Sequence, residues 1–474
     1  MFEALPATHI LPRMLDEGVI SSTLGEALRG GGDLAEIFVE DRSSSSLRLE
    51  GSKVEDVASG RDAGAGIRLI SGERSSYAYT NVLTAEGLAE AARAARAGLG
   101  SGRAAEPADL RRVTPGTTNS VRIRPERVDP GDKAAALFAA DEAARSAGAE
   151  VRQVVASYAD VRQRVLIAAS DGRLAEDDRT RVRFAVQVVA GRDDRITTGF
   201  EAPGHSGGFE LLEEKPAAHL ASSAAQKALK LLDARPSPAG EFPVVLAPGT
   251  GGVLIHEACG HGLEADTLVK DASVYANRRG ERFGKDIVTI VDDGSDPGAW
   301  GSFGVDDEGT PSQRTVLFDQ GVLVGHMSDL RSAKKIGHPP TGNGRRQSYA
   351  HLPIVRMTNT YLLPGPDDHN EILRSVERGV YAATFSGGEV NPATGNFVFG
   401  MSEAYMIENG ELTYPIRGAN LIGNGPQVLA VIDAVGSDFD RKEGVCGKDG
   451  QHAPVTNGMS TVLLGRMTVG GTES

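Results

Sequence analysis

The spacing of apolar positions divides the chain into two kinds of text. Before residue 234, short stretches that alternate apolar and polar residues lead into alanine-rich stretches with helical spacing, and this order occurs twice. The first copy predicts strands at 36–40, 46–50, 66–70 and 76–80, then a helix over 84–99 that Thr84 caps, with Glu86 and Gly87 in its first turn. The second predicts strands at 150–156, 165–168, 182–190 and 196–200, then a helix over 216–232. A further helix over 132–147 leads into it. Alternation such as Val182-Arg183-Phe184-Ala185-Val186-Gln187-Val188 suits an antiparallel sheet with one face under helices and the other open. The expected architecture is an α+β meander.

After residue 240 the pattern changes to short apolar runs punctuated by Gly, Asn, Asp and Pro. More than half of the 59 glycines fall there, so turns must be dense. Strands are expected at 287–291, 315–318, 354–359, 404–408, 411–415 and 460–464, in a mainly antiparallel β domain that is barrel-like or built of stacked sheets. Its one expected helix carries the chemistry. Two stretches read as connections, 100–119 and Ala234-Arg235-Pro236-Ser237-Pro238-Ala239-Gly240. The second is the main boundary, which gives domains over 1–238 and 239–474.

Composition narrows the class. At 474 residues, 40 % hydrophobic and 24 % charged, the chain has the make-up of a folded globular protein long enough for two or three domains. Its 64 acidic against 50 basic residues leave a formal charge of −14, which opposes nucleic acid and anionic lipid as partners. Met1-Phe2-Glu3-Ala4-Leu5-Pro6 lacks the basic start and apolar stretch of a secretion signal, and no apolar run reaches membrane-spanning length. A soluble, cytoplasmic protein without membrane contact is expected. Two cysteines, Cys259 and Cys446, are too few for a disulfide framework.

Chemistry concentrates in one segment. The segment from Phe242 to Gly262 reads as a strand, a tight Gly turn and a short helix with Thr250 as its candidate cap, and it contains His256-Glu257-Ala258-Cys259-Gly260-His261. Two histidines flanking a glutamate resemble the HExxH motif, in which metal ligands four apart share a helix face and the glutamate acts as base. Here they stand five apart. At about 100° per residue, five positions land about 140° away from the starting direction. A regular helix would therefore separate the imidazoles. A widened π-type turn around Cys259-Gly260, or an end to the helix at Gly260, would bring His261 back.

This HExxxH segment with Gly262-Leu263-Glu264-Ala265-Asp266 resembles the signature of the TldD/PmbA family of metallopeptidases. Gly344-Arg345-Arg346-Gln347-Ser348-Tyr349-Ala350-His351, Arg356-Met357-Thr358-Asn359-Thr360-Tyr361 and Val445-Cys446-Gly447-Lys448-Asp449-Gly450-Gln451 resemble stretches of its TldD branch. The resemblance implies Zn2+ held by His256, His261 and Cys446, with Glu257 as the catalytic base. It also implies an enclosed site and paired subunits, either a homodimer or a heterodimer with an inactive homologue that lacks the ligands.

Two imidazoles and a thiolate leave a fourth tetrahedral position for water, as catalytic zinc requires. Glu257 would take a proton from that water and return it to the leaving amine. Tyr349, His326 and His338 are candidate donors to the oxyanion, with no choice among them. Asn343, Arg345 and Arg346 form a loop that could present backbone and guanidinium groups to a peptide. The expected substrate is unfolded or extended polypeptide, since a β-rich domain offers strand edges. Cys259 is read as packing, His351 and His452 as structural, and Asp292-Asp293 and Asp306-Asp307-Glu308 as turn caps or a solvated face. Two rival readings remain: a non-hydrolytic metal-containing binding or maturation subunit, and a cysteine-dependent hydrolase using Cys446 with His452.

Overall fold

The computed structural model describes residues 14–99 and 106–471. The start of the expected connection over 100–119 and the Met1–Pro6 segment lie outside them.

The first sheet is built from two long hairpins. Leu34–Glu50 pairs with Lys53–Ser71, and Val151–Ala169 with Arg173–Arg192, all antiparallel. The first strands of the two hairpins lie side by side, Glu36 opposite Ala169 through Glu50 opposite Val155. The strands expected separately at 36–40 and 46–50 are one strand, as are those at 150–156 and 165–168. Polar residues such as Ser43 to Ser46 interrupt the apolar pattern, yet their backbones pair on both edges and the ladder runs through.

The expected helices form at Ala85–Ala97, Pro130–Ser146 and Ala217–Leu231. Thr84 caps the first, its hydroxyl accepting from Gly87 N at 3.2 Å. A fourth helix, Glu17–Leu28, was not expected and packs in the same core. The helices cover one face of the sheet. Leu88, Ala91, Ala92 and Ala95 meet Ile37, Val39, Ile67 and Leu69, while Ala221, Ala224 and Ala228 meet Phe184, Val186 and Val188. Each fully buried Leu, Ile or Phe contributes about 1.5–3 kcal/mol from apolar burial.

The opposite face is not open, contrary to expectation. Phe38, Val165, Ile167 and Ala175 pack against Val305 and Tyr349 from beyond residue 240. The apolar alternation reports that a face is buried, but not what buries it.

The region after 240 contains a closed barrel. Gly240–Leu246, Val462–Gly470, Asn420–Asn424, Asn396–Glu408 and Arg378–Val390 pair in a ring, antiparallel except for Gly240–Leu246 with Arg378–Val390. Beside it lies a six-stranded sheet in the order Val322–Leu323, Arg314–Asp319, Ile290–Asp293, Asn359–Leu362, Gln451–Met459, Asp440–Lys448. Val244, Leu246, Leu254, Ile255, Phe397, Phe399 and Leu464 belong to one core. Short helices that the apolar pattern did not reveal add to the motif helix, at Leu330–Ile336, His369–Arg374 and Gly425–Ala430. No helix of the described residues is long and apolar enough to cross a membrane.

Candidate metal centre

The strand Gly240–Leu246 runs out of the barrel into Pro248 and Gly249, where a φ of 71° turns the chain. An α-helical turn follows at Gly252–Ile255, then a π-helical turn at His256–Gly260 and a 3-10 turn at His261–Leu263. Thr250 does not cap it: Gly251 holds that position, and no side chain accepts there. The backbone N–H of His261 donates to the carbonyl of His256, five residues back. This extra residue in the turn is the irregularity that the HExxxH spacing demands. The two imidazoles consequently stand together, ring centres 5.1 Å apart and planes at 89°. Close packing explains the glycine at 260, where a Cβ would lie 2.0 Å from Met357 Sδ.

Cys446 comes from the edge strand Asp440–Lys448, opposite Ala453 in its hairpin. Its Sγ lies 3.4 Å from His261 Nε2. One ligand atom each from His256, His261 and Cys446 falls within 4.8 Å of the others, a spread that one metal ion can bridge. Glu257 flanks the group, with Oε2 3.9 Å from His261 Nε2 and its side chain 19 % exposed, so it faces both the cluster and solvent.

The donors fit a soft divalent cation. His256 is buried, and its Nδ1 has no hydrogen-bond partner among the described residues. A buried ring nitrogen without a partner is unfavourable. Burial alone would raise the Cys446 thiol, but hydrogen bonds and charge from His256 and His261 bring it down to about 4, so it is a thiolate at neutral pH. Burial opposes charge on His261 too. Glu264 and Cys446 nevertheless raise its pKa well above the usual imidazole value. Glu264, which burial would raise, is held at about 2 by His261 and Lys448. The pocket thus gathers negative charge around the imidazoles, and a metal ion would compete there with a proton.

An outer layer that the sequence reading missed holds these side chains. Glu264 Oε2 lies 3.0 Å from His261 Nδ1, which leaves Nε2 to face Cys446. Lys448 Nζ donates to the same Glu264 oxygen at 3.0 Å. The Arg356 guanidinium donates to the carbonyls of Cys446 and Gln451, bracing the hairpin. Tyr275 OH donates to Ala258 O at 2.9 Å. A signal for part of this layer was present: Cys446 and Lys448 are two apart on a strand and share a face.

The structure does not bring the other named residues to the cluster. Asn343 is buried, its amide donating to Asp292 at 2.8 Å and to Arg356 O at 2.9 Å. Arg345 donates to Met357 O and to Pro454 O, and Arg346 to Glu36 and Asp307 O. Their guanidinium groups are engaged inside the protein rather than offered to a peptide. Tyr349 OH donates to Asp62 at 3.1 Å. His326 and His338 line a separate cavity with Arg279, whose guanidinium lies 2.6 Å from His338 Nε2. Ser348 Oγ is 2.8 Å from His351 Nδ1, and His452 is exposed. Cys259 is buried against Tyr275 with its thiol pushed up to about 12, which agrees with a packing role. Asp306 accepts from three backbone N–H groups and is a turn cap as expected, whereas Asp307 and Glu308 are buried against arginines and do not form a solvated face.

A helix end and a distant strand thus join two histidines, a cysteine and a neighbouring glutamate beside a barrel, a donor set that suits a metallopeptidase. The chain matches in turn the models of PmbA/TldA metallopeptidase domain 1 over residues 35–98, the central domain over 123–232 and the C-terminal domain over 239–471. It belongs to the PmbA/TldD family of metallopeptidases. The chain is 39 % identical over 451 residues to a metalloprotease TldD homolog of Haemophilus influenzae, covering 93 % of each. A metalloprotease of Methanocaldococcus jannaschii is 33 % identical over 91 % of this chain and 96 % of its own. Among solved structures, a Thermotoga maritima protein described as a candidate modulator of a DNA gyrase superposes with a TM-score of 0.77 at 23 % identity, over 92 % of this chain and 96 % of that one. TldE from Thermococcus kodakarensis superposes with a TM-score of 0.75 at 20 % identity, over 96 % of this chain and 100 % of its own. These two likenesses concern the fold.

Proposed function

We propose that this chain is a zinc-dependent peptidase that cuts extended or unfolded polypeptide, with His256, His261 and Cys446 as metal ligands and Glu257 as general base. The observation that carries the reading is the convergence of three donor atoms within 4.8 Å of one another beside a carboxylate that solvent reaches. A thiolate among imidazoles favours zinc over harder cations. Bound zinc would supply a Lewis acid that polarises the scissile carbonyl and makes water more acidic.

The remaining steps belong to the protein. Glu257 removes the proton from the attacking water at its carboxylate oxygen and later delivers it to the leaving amine nitrogen. Glu264 keeps the His261 proton on Nδ1. The strand carrying Cys446 pairs only with Gln451–Met459 among the described residues, so its other edge has backbone groups for an extended chain lying beside the cluster. A folded domain cannot present such a strand, so folded proteins should resist cleavage.

Elemental analysis of the purified protein, together with casein cleavage before and after o-phenanthroline, tests this reading. One zinc per chain and activity lost to the chelator but restored by zinc are expected. Cys446→Ser should lose zinc. Activity that survives chelation and yields only to thiol alkylation would replace the metal reading with a cysteine hydrolase.

A further inference from the structure

We propose that Lys448 is a positioning residue for the metal centre, acting through Glu264 to hold the His261 ring against Cys446; this rests on the metal reading above.

The two kinds of ligand arrive on unrelated pieces of chain. His256 and His261 end the motif helix, while Cys446 lies 185 residues beyond His261 on an edge strand. An edge strand paired on one side only has little to fix its distance from a helix end. Lys448 supplies that connection. It follows Cys446 by two residues on the same strand face, and its ammonium donates to Glu264 Oε2 at 3.0 Å, Asp266 Oδ1 at 2.8 Å and Val355 O at 3.0 Å. All three of its donors are thereby used.

Glu264 is the middle link. Its side chain is 1 % exposed, and the oxygen that accepts from Lys448 also accepts from His261 Nδ1 at 3.0 Å. The contacts form a closed circuit: Cys446 to Lys448 along the strand, Lys448 to Glu264, Glu264 to His261, and His261 back to Cys446 across 3.4 Å. The other Glu264 oxygen has no hydrogen-bond partner among the described residues, so Lys448 is the one group besides His261 whose side chain holds this carboxylate there. Without Lys448 the buried carboxylate is held only by the imidazole it is meant to orient, and the ring loses its fixed direction. A carboxylate that orients a metal-binding histidine typically carries a 10–100-fold share of the metal affinity, on the order of that range here.

The test compares zinc dissociation constants, by competition with a chromophoric chelator, for the wild type, Lys448→Met, Lys448→Arg and Glu264→Gln, and records the ligand-field and thiolate charge-transfer bands of each cobalt-substituted form. Lys448→Met is expected to weaken zinc by roughly 10–100-fold and to shift the cobalt bands, with Lys448→Arg restoring most of both. A role confined to stability would lower the melting temperature while zinc affinity and cobalt bands of the folded protein stayed at their wild-type values; that result overturns the proposal. Should Lys448→Met fail to fold, Glu264→Gln keeps the side-chain shape and breaks the same link, and wild-type affinity in that variant overturns it equally. A wild type that binds no zinc removes the metal reading and this inference together, whereas equal binding by the wild type and Lys448→Met removes this inference alone.

Discussion

Two of the buried clusters of charge among the described residues are balanced differently. Where the first sheet meets the region after residue 240, Glu36 and Glu308 meet Arg68 at 2.8 and 2.6 Å, Arg346 meets Glu36 at 2.6 Å, and Arg179 meets Asp307 at 2.7 Å, with no side chain there more than 6 % exposed. Acid and base are matched, and the pairs join strands early in the chain to loops far along it. Around the motif helix the balance fails. The Cys446 thiolate, Glu264, Asp266 and Glu257 face two cationic groups among the described residues, Lys448 against Glu264 and Asp266 and the His261 imidazole against Glu264, Glu257 and Cys446, and Nδ1 of His256 has no partner. Matched buried charge fastens parts together, whereas unmatched buried charge marks a place for a cation that the chain itself does not provide.

The largest effect should come from the unmatched cluster. Glu257→Gln keeps the size of the side chain and removes the base, so turnover of an unfolded substrate should fall by roughly 10²–10⁴-fold. Zinc content and melting temperature should remain as in the wild type, because Glu257 is partly exposed and outside the ligand set. A variant that still turns over at the wild-type rate would sink the general-base role. The matched cluster should respond in the opposite sense. Arg68→Met takes the arginine from buried Glu308 and leaves Glu36 with Arg346 alone, and breaking a buried pair of this kind costs about 3–5 kcal/mol of stability. Urea unfolding reads that loss, while the zinc affinity of the folded variant should not change. If Arg68→Met released zinc without lowering stability, the contrast between fastening and binding would collapse.

The two clusters were unequally visible in the chain. The distorted helix end follows from arithmetic, because histidines five apart cannot share a face of a regular helix, and the π turn at His256–Gly260 supplies the missing phase. Cys446 is different in kind: no local pattern on a short, largely polar edge strand joins it to the two histidines, and its place in the cluster was legible only through resemblance. Lys448 and Glu264 needed the strand and helix end to be docked before their charges could meet. The same holds for Asp307 and Glu308, which looked like surface acids until Arg179 and Arg68, more than a hundred residues away, were found against them. Strand positions survived better than strand lengths, since the polar Ser43 to Ser46 stretch hides a ladder that backbone groups alone maintain.

The cavity holding His326 and His338 gives the smallest and most discriminating test. It carries charge like the group around His256, His261 and Cys446, yet the residues that line it offer no comparable set of donor atoms. Burial, then Arg279 and His338, hold the His326 pKa down to about 4, below the unfolded value of 6.5. A histidine favoured as the neutral form in the folded state contributes stability above pH 6.5 that is lost as pH falls through 6.5 toward 4, because the unfolded chain then binds the extra proton. His326→Gln removes that proton uptake. Its unfolding free energy should therefore fall less steeply than the wild type's across this window, with zinc content and turnover at neutral pH unchanged. Parallel pH curves for the two proteins would show that His326 is not held neutral. A loss of turnover in His326→Gln would join this cavity to the His256–His261–Cys446 cluster and erase the distinction between a buried histidine that serves the site and one that only packs.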